Sequence, residues 1–161
     1  ARRGRRVALV VAGDGKERSR LERLARDEVG ARARFVGQVA RRNLYRYYSA
    51  ADLFFFPGIR EALGMVYLEA QSCGLPVVAF ENAGVPEAVQ KDRTGFLTPL
   101  REDRALADAV DRLLSDASLR RQMGACAKAY VRECHDLEKN YGIMDEVLRG
   151  VVAPPARRGP T

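Results

Sequence analysis

Tryptophan is absent from this chain of 161 residues, and there is one histidine and three cysteines. The cysteines, Cys73, Cys126 and Cys134, show no Cys-x-x-Cys spacing, and an odd number in no framework indicates reduced thiols in a cytosolic setting. Cys73 lies in an apolar helical run, which favours burial. His135 is the only histidine and stands beside Cys134, and a catalytic role for it is not favoured. One histidine and scattered cysteines do not make a metal site, so we expect none.

Long apolar runs are also lacking. None approaches the roughly 20 residues that a membrane-spanning helix needs, and the arginine-rich start has no apolar stretch typical of a signal peptide. The composition, 47% hydrophobic and 30% charged, is that of a globular protein, and the length fits one domain that can bury its own core. We therefore expect a soluble, cytoplasmic protein, with peripheral contact at the inner face of the membrane left open.

Acidic residues are missing from both ends of the chain, which produces most of its net charge of +7. Removing six terminal arginines from the 28 basic residues leaves 22 against 21 acidic ones, so the body is nearly neutral. Frayed, solvated ends are favoured over a phosphate or membrane contact, and we expect no nucleic-acid partner. The six are Arg2, Arg3, Arg5, Arg6, Arg157 and Arg158.

Short apolar runs alternate with helical segments along the chain. The predicted strands are 7–12, 33–36, 53–56, 76–80 and 95–98, and the predicted helices are 16–29, 43–50, 64–73, a short turn from 86, 103–114, 119–133 and 137–148. Continuously apolar strands alternating with helices indicate an α/β fold, a doubly wound parallel sheet of Rossmann-like type. Ligands bind such sheets at the carboxyl ends of the strands, which here carry residues 13–15, 57–61 and 81–87.

The residues best suited to chemistry surround the start of the helix predicted at 64–73. Glu61 and Glu69, eight positions apart, face one cleft only if Glu61 lies on the loop before that helix. Gly64 lets the loop approach a ligand closely, and the N–H groups of Gly64, Met65 and Val66 at the positive end of the helix dipole suit a diphosphate. A surface position is the ordinary alternative for either glutamate. Glu69, however, interrupts an apolar helix, which favours a ligand or partner.

The run from Pro57 to Ala70 resembles the pattern Pro-x-x-x-Glu-x-x-Gly-x-x-x-x-Glu-Ala of retaining GT-B glycosyltransferases. Further blocks match in order between Val7 and about Gly150: GDG at 13–15, FVG at 35–37, AAD at 50–52, CGLPVVA at 73–79, GVPE at 84–87 and TGFL at 94–97. The chain is therefore similar to the nucleotide-sugar-binding half of glycosyltransferase family 4.

This resemblance implies a role for each matching position. Glu61 is the expected catalytic residue, placed against the transferred sugar, where it binds hydroxyls or stabilises positive charge. Glu69 is expected at the ribose hydroxyls, and the backbone of Gly64, Met65 and Val66 at the phosphates. The expected donor is a UDP-sugar or GDP-sugar, transferred with retention of configuration and without a metal ion or cofactor.

Two neighbouring segments are less specific. Gly13-Asp14-Gly15 lacks the third glycine of a dinucleotide fingerprint, because position 18 is arginine. A turn that links strand to helix near the cleft is favoured over a direct phosphate cradle, although Gly13 and Gly15 are both assigned to donor binding. Segment 41–48 interleaves arginines with Tyr45, Tyr47 and Tyr48, and core packing with a basic outer face is favoured over a stacking surface for nucleic acid.

The resemblance also concerns parts that we do not find in the chain. We predict a basic lead at 1–6, the sugar-nucleotide domain at 7–150, with its start truncated, and a flexible tail at 151–161. The N-terminal acceptor domain and the segment that clamps the donor phosphates are missing, so we expect weak donor binding and little or no transfer. The acceptor, a saccharide, lipid or small molecule, is left open. The alternatives are a non-catalytic nucleotide-sugar-binding or interaction module of GT-B descent, and an isomerase or phosphorylase of this fold.

Overall fold

Strands and helices alternate along the chain in the computed structural model, which describes residues 6–59 and 61–152. The strands are β1 Leu9–Ala12, β2 Ala33–Gly37, β3 Phe54–Phe56, β4 Val77–Phe80 and β5 Gly95–Thr98. The helices are α1 Arg18–Glu28, α2 Arg41–Ser49, α3 Met65–Ser72, α4 Val85–Ala88, α5 Asp103–Ser115, α6 Ala117–Cys134 and α7 Leu137–Val152. A short 3-10 turn, Gly30–Arg32, precedes β2. Every predicted strand and helix is present, with small shifts at the ends.

The ends of the chain fall largely outside this description. Of the predicted basic lead, only Arg6 is described, and of the predicted tail only residues 151 and 152. These two residues belong to α7, so the helix runs further than the sequence pattern predicted. The domain limits at 7 and 150 stay a prediction.

The chain divides into two compact units, with the boundary between Tyr47 and Tyr48. In the first unit β1 and β2 pair in parallel, with Leu9 opposite Ala33, and α1 connects them. The guanidinium of Arg18 on α1 donates to Asp14 at 3.0 Å, to Glu22 at 2.8 Å and to the carbonyl of Phe35 at 3.2 Å. This side chain therefore joins α1 to the turn that follows β1 and to β2.

In the second unit β4 lies between β3 and β5 in a parallel sheet. Successive side chains of a strand point to opposite faces, and β4 has an apolar cluster on each. Val77 and Ala79 pack with Tyr67 of α3, whereas Val78 and Phe80 pack with Leu113 of α5. All four β4 side chains are buried. Helices thus cover both faces of the sheet, as the doubly wound α/β prediction requires.

The surface differs from the sequence expectation at Cys73 and has a further apolar region on α7. Cys73 is only partly buried, because it ends α3 rather than lying within it, and all three cysteines are free thiols. Helix α7 leaves much of its apolar surface exposed, with Leu137 and Val151 both 79% exposed. Within the described segments, no helix combines the length and apolar character needed to cross a bilayer.

Truncating the core side chain Leu113 is expected to destabilise the fold far more than truncating an exposed leucine. Leu113 of α5 is fully buried against β4, so Leu113→Ala should lower the free energy of unfolding by about 2–5 kcal/mol. Leu137→Ala removes the same atoms from a side chain that is 79% exposed and should change it by less than about 0.5 kcal/mol. Urea unfolding of both variants checks this, and equal losses would contradict the assigned core.

Candidate functional site

The carboxyl ends of β3 and β4 carry the loops on which the candidate site is built. The β3–α3 loop, residues 57–64, contains Glu61, and α3 starts just after it. Glu69 lies on α3 and is partly buried, as is Glu61. The sequence prediction that Glu61 lies on the loop and Glu69 on the helix is therefore confirmed. What the two carboxylates bind stays a prediction.

Gly64 ends the loop and starts α3 in a conformation that favours glycine. Its backbone is left-handed, with φ of 62° and ψ of 31°. A Cβ at this position would lie 2.7 Å from the ring of Tyr67 and 3.2 Å from Ala88. Any other residue would therefore be strained and would also push α3 away from α4.

The N-terminus of α3 has no side-chain cap among the described residues. The first N–H groups of a helix have no acceptor within it, so those of Met65 and Val66 are available to an anion. The side chain of Met65 is half exposed, whereas that of Val66 packs against the core. This end of α3 therefore offers backbone groups and dipole rather than charged side chains.

The β4–α4 loop holds the β3–α3 loop in place. The amide of Asn82 donates to the carbonyl of Gly58 at 3.1 Å and to that of Phe80 at 3.2 Å. The Gly84 N–H donates to the carbonyl of Glu61 at 3.0 Å. A Cβ on Gly84 would lie 2.0 Å from the carbonyl oxygen of Ala62, so the two backbones are in direct contact.

The carboxylate of Glu69 accepts a hydrogen bond from the hydroxyl of Tyr48, at 3.5 Å. Burial, together with the nearby Glu69 charge, raises the pKa of Tyr48 to about 12. The phenol is therefore protonated at physiological pH and acts as a donor to Glu69. The sequence analysis expected core packing of the tyrosines. Tyr48 does meet Phe54 edge to face, but Tyr45 is 54% exposed.

Tyr67 lies beneath the loop that carries Glu61. It is fully buried, and its hydroxyl donates to the carbonyl of Phe56 at 3.4 Å. Burial and, less strongly, the Glu61 carboxylate raise the pKa of Tyr67 to about 12. The neutral phenol supports the end of β3 at the point where the chain turns toward Glu61.

Gln71 joins α3 to α4 from within the core. Its amide is fully buried and donates to the carbonyls of Tyr67 at 3.2 Å and Ala88 at 2.7 Å. Its side-chain oxygen has no hydrogen-bond partner among the described residues. The two helices therefore keep a fixed spacing, which also fixes the contact between Gly64 and Ala88.

In the Gly13-Asp14-Gly15 turn of the first unit, the N–H groups of both glycines already bond to acceptors in the protein. Gly13 donates to the carbonyl of Gly37 at 2.8 Å, and Gly15 to the carboxylate of Asp14 at 2.8 Å. These bonds favour the role of a linking turn, and donor binding by Gly13 and Gly15 stays a prediction from the resemblance. His135 packs edge to face on Tyr130 where α6 ends. The described residues contain no group of three or more side chains arranged to hold a metal ion.

Sequence reasoning assigned no role in the site to Asn82, Gly84 or Gln71, and for Tyr48 it expected only core packing. A signal was present for the first two, because they follow a buried parallel strand at its carboxyl end. The partners of Tyr48 and Gln71 lie 21 and 17 positions away, and no local pattern indicates them.

Loops at the carboxyl ends of neighbouring parallel strands, beside the N-terminus of a helix, are where ligands bind in Rossmann-like α/β domains. Comparison with known proteins gives the family: residues 1–130 match Glycosyl transferases group 1, and the chain belongs to that family.

Two relatives show how far the similarity extends. The chain is 34% identical, over 156 residues, to the GDP-mannose-dependent monoacylated alpha-(1-6)-phosphatidylinositol monomannoside mannosyltransferase of Corynebacterium glutamicum, covering 92% of this chain and 39% of the relative. It is 34% identical to the sucrose-phosphate synthase of Thermosynechococcus elongatus, with a TM-score of 0.79, covering 91% of this chain and 38% of that structure.

HepE of Anabaena, solved in complex with UDP-glucose, is 26% identical with a TM-score of 0.76, covering 89% of this chain and 41% of that structure. These structural neighbours are GT-B glycosyltransferases. The chain thus spans about two fifths of the length of these three proteins.

Adding a methyl group at Gly84 is expected to force the two loops apart. Gly84→Ala should lower the free energy of unfolding by about 1–3 kcal/mol, because the new Cβ would overlap the Ala62 carbonyl. Gly142→Ala is the matched control, since no atom lies within 4 Å of its Cβ position on α7 and alanine favours a helix by about 1 kcal/mol. Thermal unfolding measures both, and a Gly84→Ala protein as stable as the wild type would disprove the contact.

Proposed function

We propose that this chain is the nucleotide-sugar-binding domain of a retaining glycosyltransferase, which transfers a sugar from a UDP-sugar or GDP-sugar to an acceptor hydroxyl. The observation that carries the proposal is the position of Glu61 on the loop and Glu69 on the helix, either side of a helix start at Gly64 that no described side chain caps. Support comes from relatives whose names or structures include GDP-mannose and UDP-glucose.

The donor diphosphate is assigned to the N-terminus of α3. The N–H groups of Gly64, Met65 and Val66 would donate to its oxygens, and the helix dipole favours the negative charge that grows as the diphosphate leaves. Backbone donors are already in place before the ligand arrives, so little reorganisation is needed. The proposal therefore requires no metal ion and no cofactor.

Glu69 is assigned to the ribose. A carboxylate accepts hydrogen bonds at both oxygens, which matches two neighbouring hydroxyls. The hydroxyl of Tyr48 donates to one oxygen of Glu69 and restricts its orientation. Because Tyr48 stays neutral up to about pH 12, it orients the Glu69 carboxylate by a hydrogen bond and leaves its negative charge in place.

Glu61 is assigned to the transferred sugar and is the proposed catalytic residue. The acceptor hydroxyl attacks the anomeric carbon on the face that the diphosphate leaves, so one C–O bond breaks and another forms on the same face, and the departing diphosphate oxygen takes the proton of the acceptor hydroxyl. Positive charge develops on the sugar ring during this exchange, and a nearby carboxylate stabilises it. Glu61 would also bind sugar hydroxyls, which fixes the ring for attack.

The rest of the enzyme is assigned to an acceptor domain that the described residues do not include. Since the chain spans only 39% of a mannosyltransferase relative, we infer that efficient transfer needs that further domain. The acceptor is a hydroxyl of a saccharide, lipid or small molecule. We place the reaction in the cytoplasm.

Calorimetric titration with UDP, GDP, UDP-glucose and GDP-mannose tests the assignment of the two glutamates. Glu69→Ala should weaken binding of the free nucleotide about tenfold or more, as expected for losing a hydrogen bond to a charged group. Glu61→Ala should leave the free nucleotide unaffected and weaken only the sugar conjugate. Glu146→Ala, which removes an exposed glutamate of α7, is the control and should change neither affinity.

Saturable binding to one nucleotide series would name the base, and a chelator should leave its affinity unchanged. If Glu61→Ala lowered the affinity for nucleotide and conjugate equally, Glu61 would be wrongly assigned. If the wild-type chain bound none of the four ligands, the chain alone would not be a donor-binding domain.

A further inference from the structure

Asn82 connects the ends of two neighbouring strands through a single amide group. Its NH2 donates one hydrogen to the carbonyl of Phe80, the last residue of β4, and the other to the carbonyl of Gly58, on the loop after β3. The bond to Phe80 is local. The bond to Gly58 reaches 24 positions back along the chain and joins the two loops of the candidate site.

The orientation of this amide follows from the chemistry of its partners. Carbonyl oxygens only accept hydrogen bonds, so the nitrogen of Asn82 must face Gly58 and Phe80. An aspartate has the same shape but, when ionised, no hydrogen to donate, and its oxygens would repel both carbonyls. Replacing Asn82 with aspartate therefore removes the connection while the side-chain volume stays almost the same.

Gly84 supplies a second fixed point for the same loop. Its N–H donates to the carbonyl of Glu61 at 3.0 Å, and its Cα lies against the Ala62 carbonyl. Asn82 and Gly84 thus hold the loop at Gly58 and at Glu61, three residues apart. The side chain of Glu61 folds back over the same span, because a Cβ on Gly58 would lie 2.9 Å from its Cγ.

These contacts restrict where the Glu61 carboxylate can lie. Gly58 precedes Glu61 and would shift with the loop if the Asn82 bond were lost, and the Glu61 Cγ would shift with it. Glu69 lies on α3, outside this loop, and its carboxylate accepts from the hydroxyl of Tyr48. Loss of the Asn82 amide should thus affect one glutamate of the site and spare the other.

We propose that Asn82 is a positioning residue for Glu61, which sets the geometry of sugar recognition without touching the ligand. This inference rests on the proposed function, since it takes Glu61 as the group that meets the sugar. Asn82 determines how much affinity the sugar adds to the nucleotide, and Glu69 determines the affinity for the nucleotide itself.

The test compares Asn82→Asp and Asn82→Ala with a matched asparagine on α7. The Asn140 amide also donates to two carbonyls, of Cys134 at 3.0 Å and Asp136 at 2.9 Å, so Asn140→Asp makes the same chemical change away from the β3–α3 loop. Each protein is titrated with UDP and UDP-glucose and with GDP and GDP-mannose. The measured quantity is the ratio of the two affinities within each pair.

Both Asn82 variants should lower that ratio about tenfold, with free-nucleotide affinity unchanged. This is the loss expected when the misplaced Glu61 carboxylate gives up one hydrogen bond to the sugar. Asn140→Asp should leave the ratio as in the wild type. An unchanged ratio in both Asn82 variants, or an equal fall for nucleotide and conjugate, would overturn the inference. Glu61→Ala separates the two claims: if it lowers the ratio and Asn82→Asp does not, the proposed function stands and the positioning role fails.

A second measurement needs no ligand. Asn82→Asp should speed amide hydrogen exchange at Gly84, whose N–H is bonded to Glu61, and at residues 61–64. Exchange in β4 and β5 should stay at the wild-type rate, because their ladder does not use the Asn82 side chain. Unchanged exchange at Gly84, or faster exchange throughout the sheet, would show that Asn82 does not hold this loop.

Discussion

The burial of β4 on both faces is the constraint on which the second unit depends. Its four side chains alternate between the cluster under α3 and α4 and the cluster under α5 and α6, with Val77, Val78 and Ala79 completely buried. Such a strand has no solvent-facing side, so helices cover both of its faces, and it pairs in parallel with β3 and β5, as strands buried in this way commonly do. The loops that leave β3 and β4 are then brought to the same edge, where Glu61 meets Gly84.

Most of this architecture follows from local patterns that the sequence displays. The apolar run before Phe80, the glycine after Cys73 and the alternation of strand and helix predict the elements within a few residues, and β5 at Gly95–Thr98 is predicted with its exact bounds. The spacing of Glu61 and Glu69 around Gly64 also predicts the site, because a loop residue and a helix residue were required for the two glutamates to face one cleft.

The remaining features depend on contacts between distant residues. One exception is local: Asp116 caps α6 by accepting from the N–H groups of Ser118 and Leu119, a signal that the sequence offered, and α6 starts two residues before its predicted start. The hydroxyl of Tyr48 reaches Glu69, and the amide of Asn82 reaches Gly58, only after the sheet has formed. An asparagine or tyrosine by itself carries no local sign of such a partner, so sequence patterns could not have assigned these roles.

The aromatic cluster beside the two glutamates has a spectroscopic consequence. Tyr48, Phe54, Phe56 and Tyr67 contact one another at ring-centroid distances of 5.5 to 6.1 Å, and the chain contains no tryptophan whose emission would mask them. Two of its six tyrosines therefore sit next to Glu61 and Glu69, and their fluorescence belongs to the candidate site itself. A molecule that displaces the Tyr48 hydroxyl from Glu69 would change that emission, so intrinsic tyrosine fluorescence can report on binding at the candidate site.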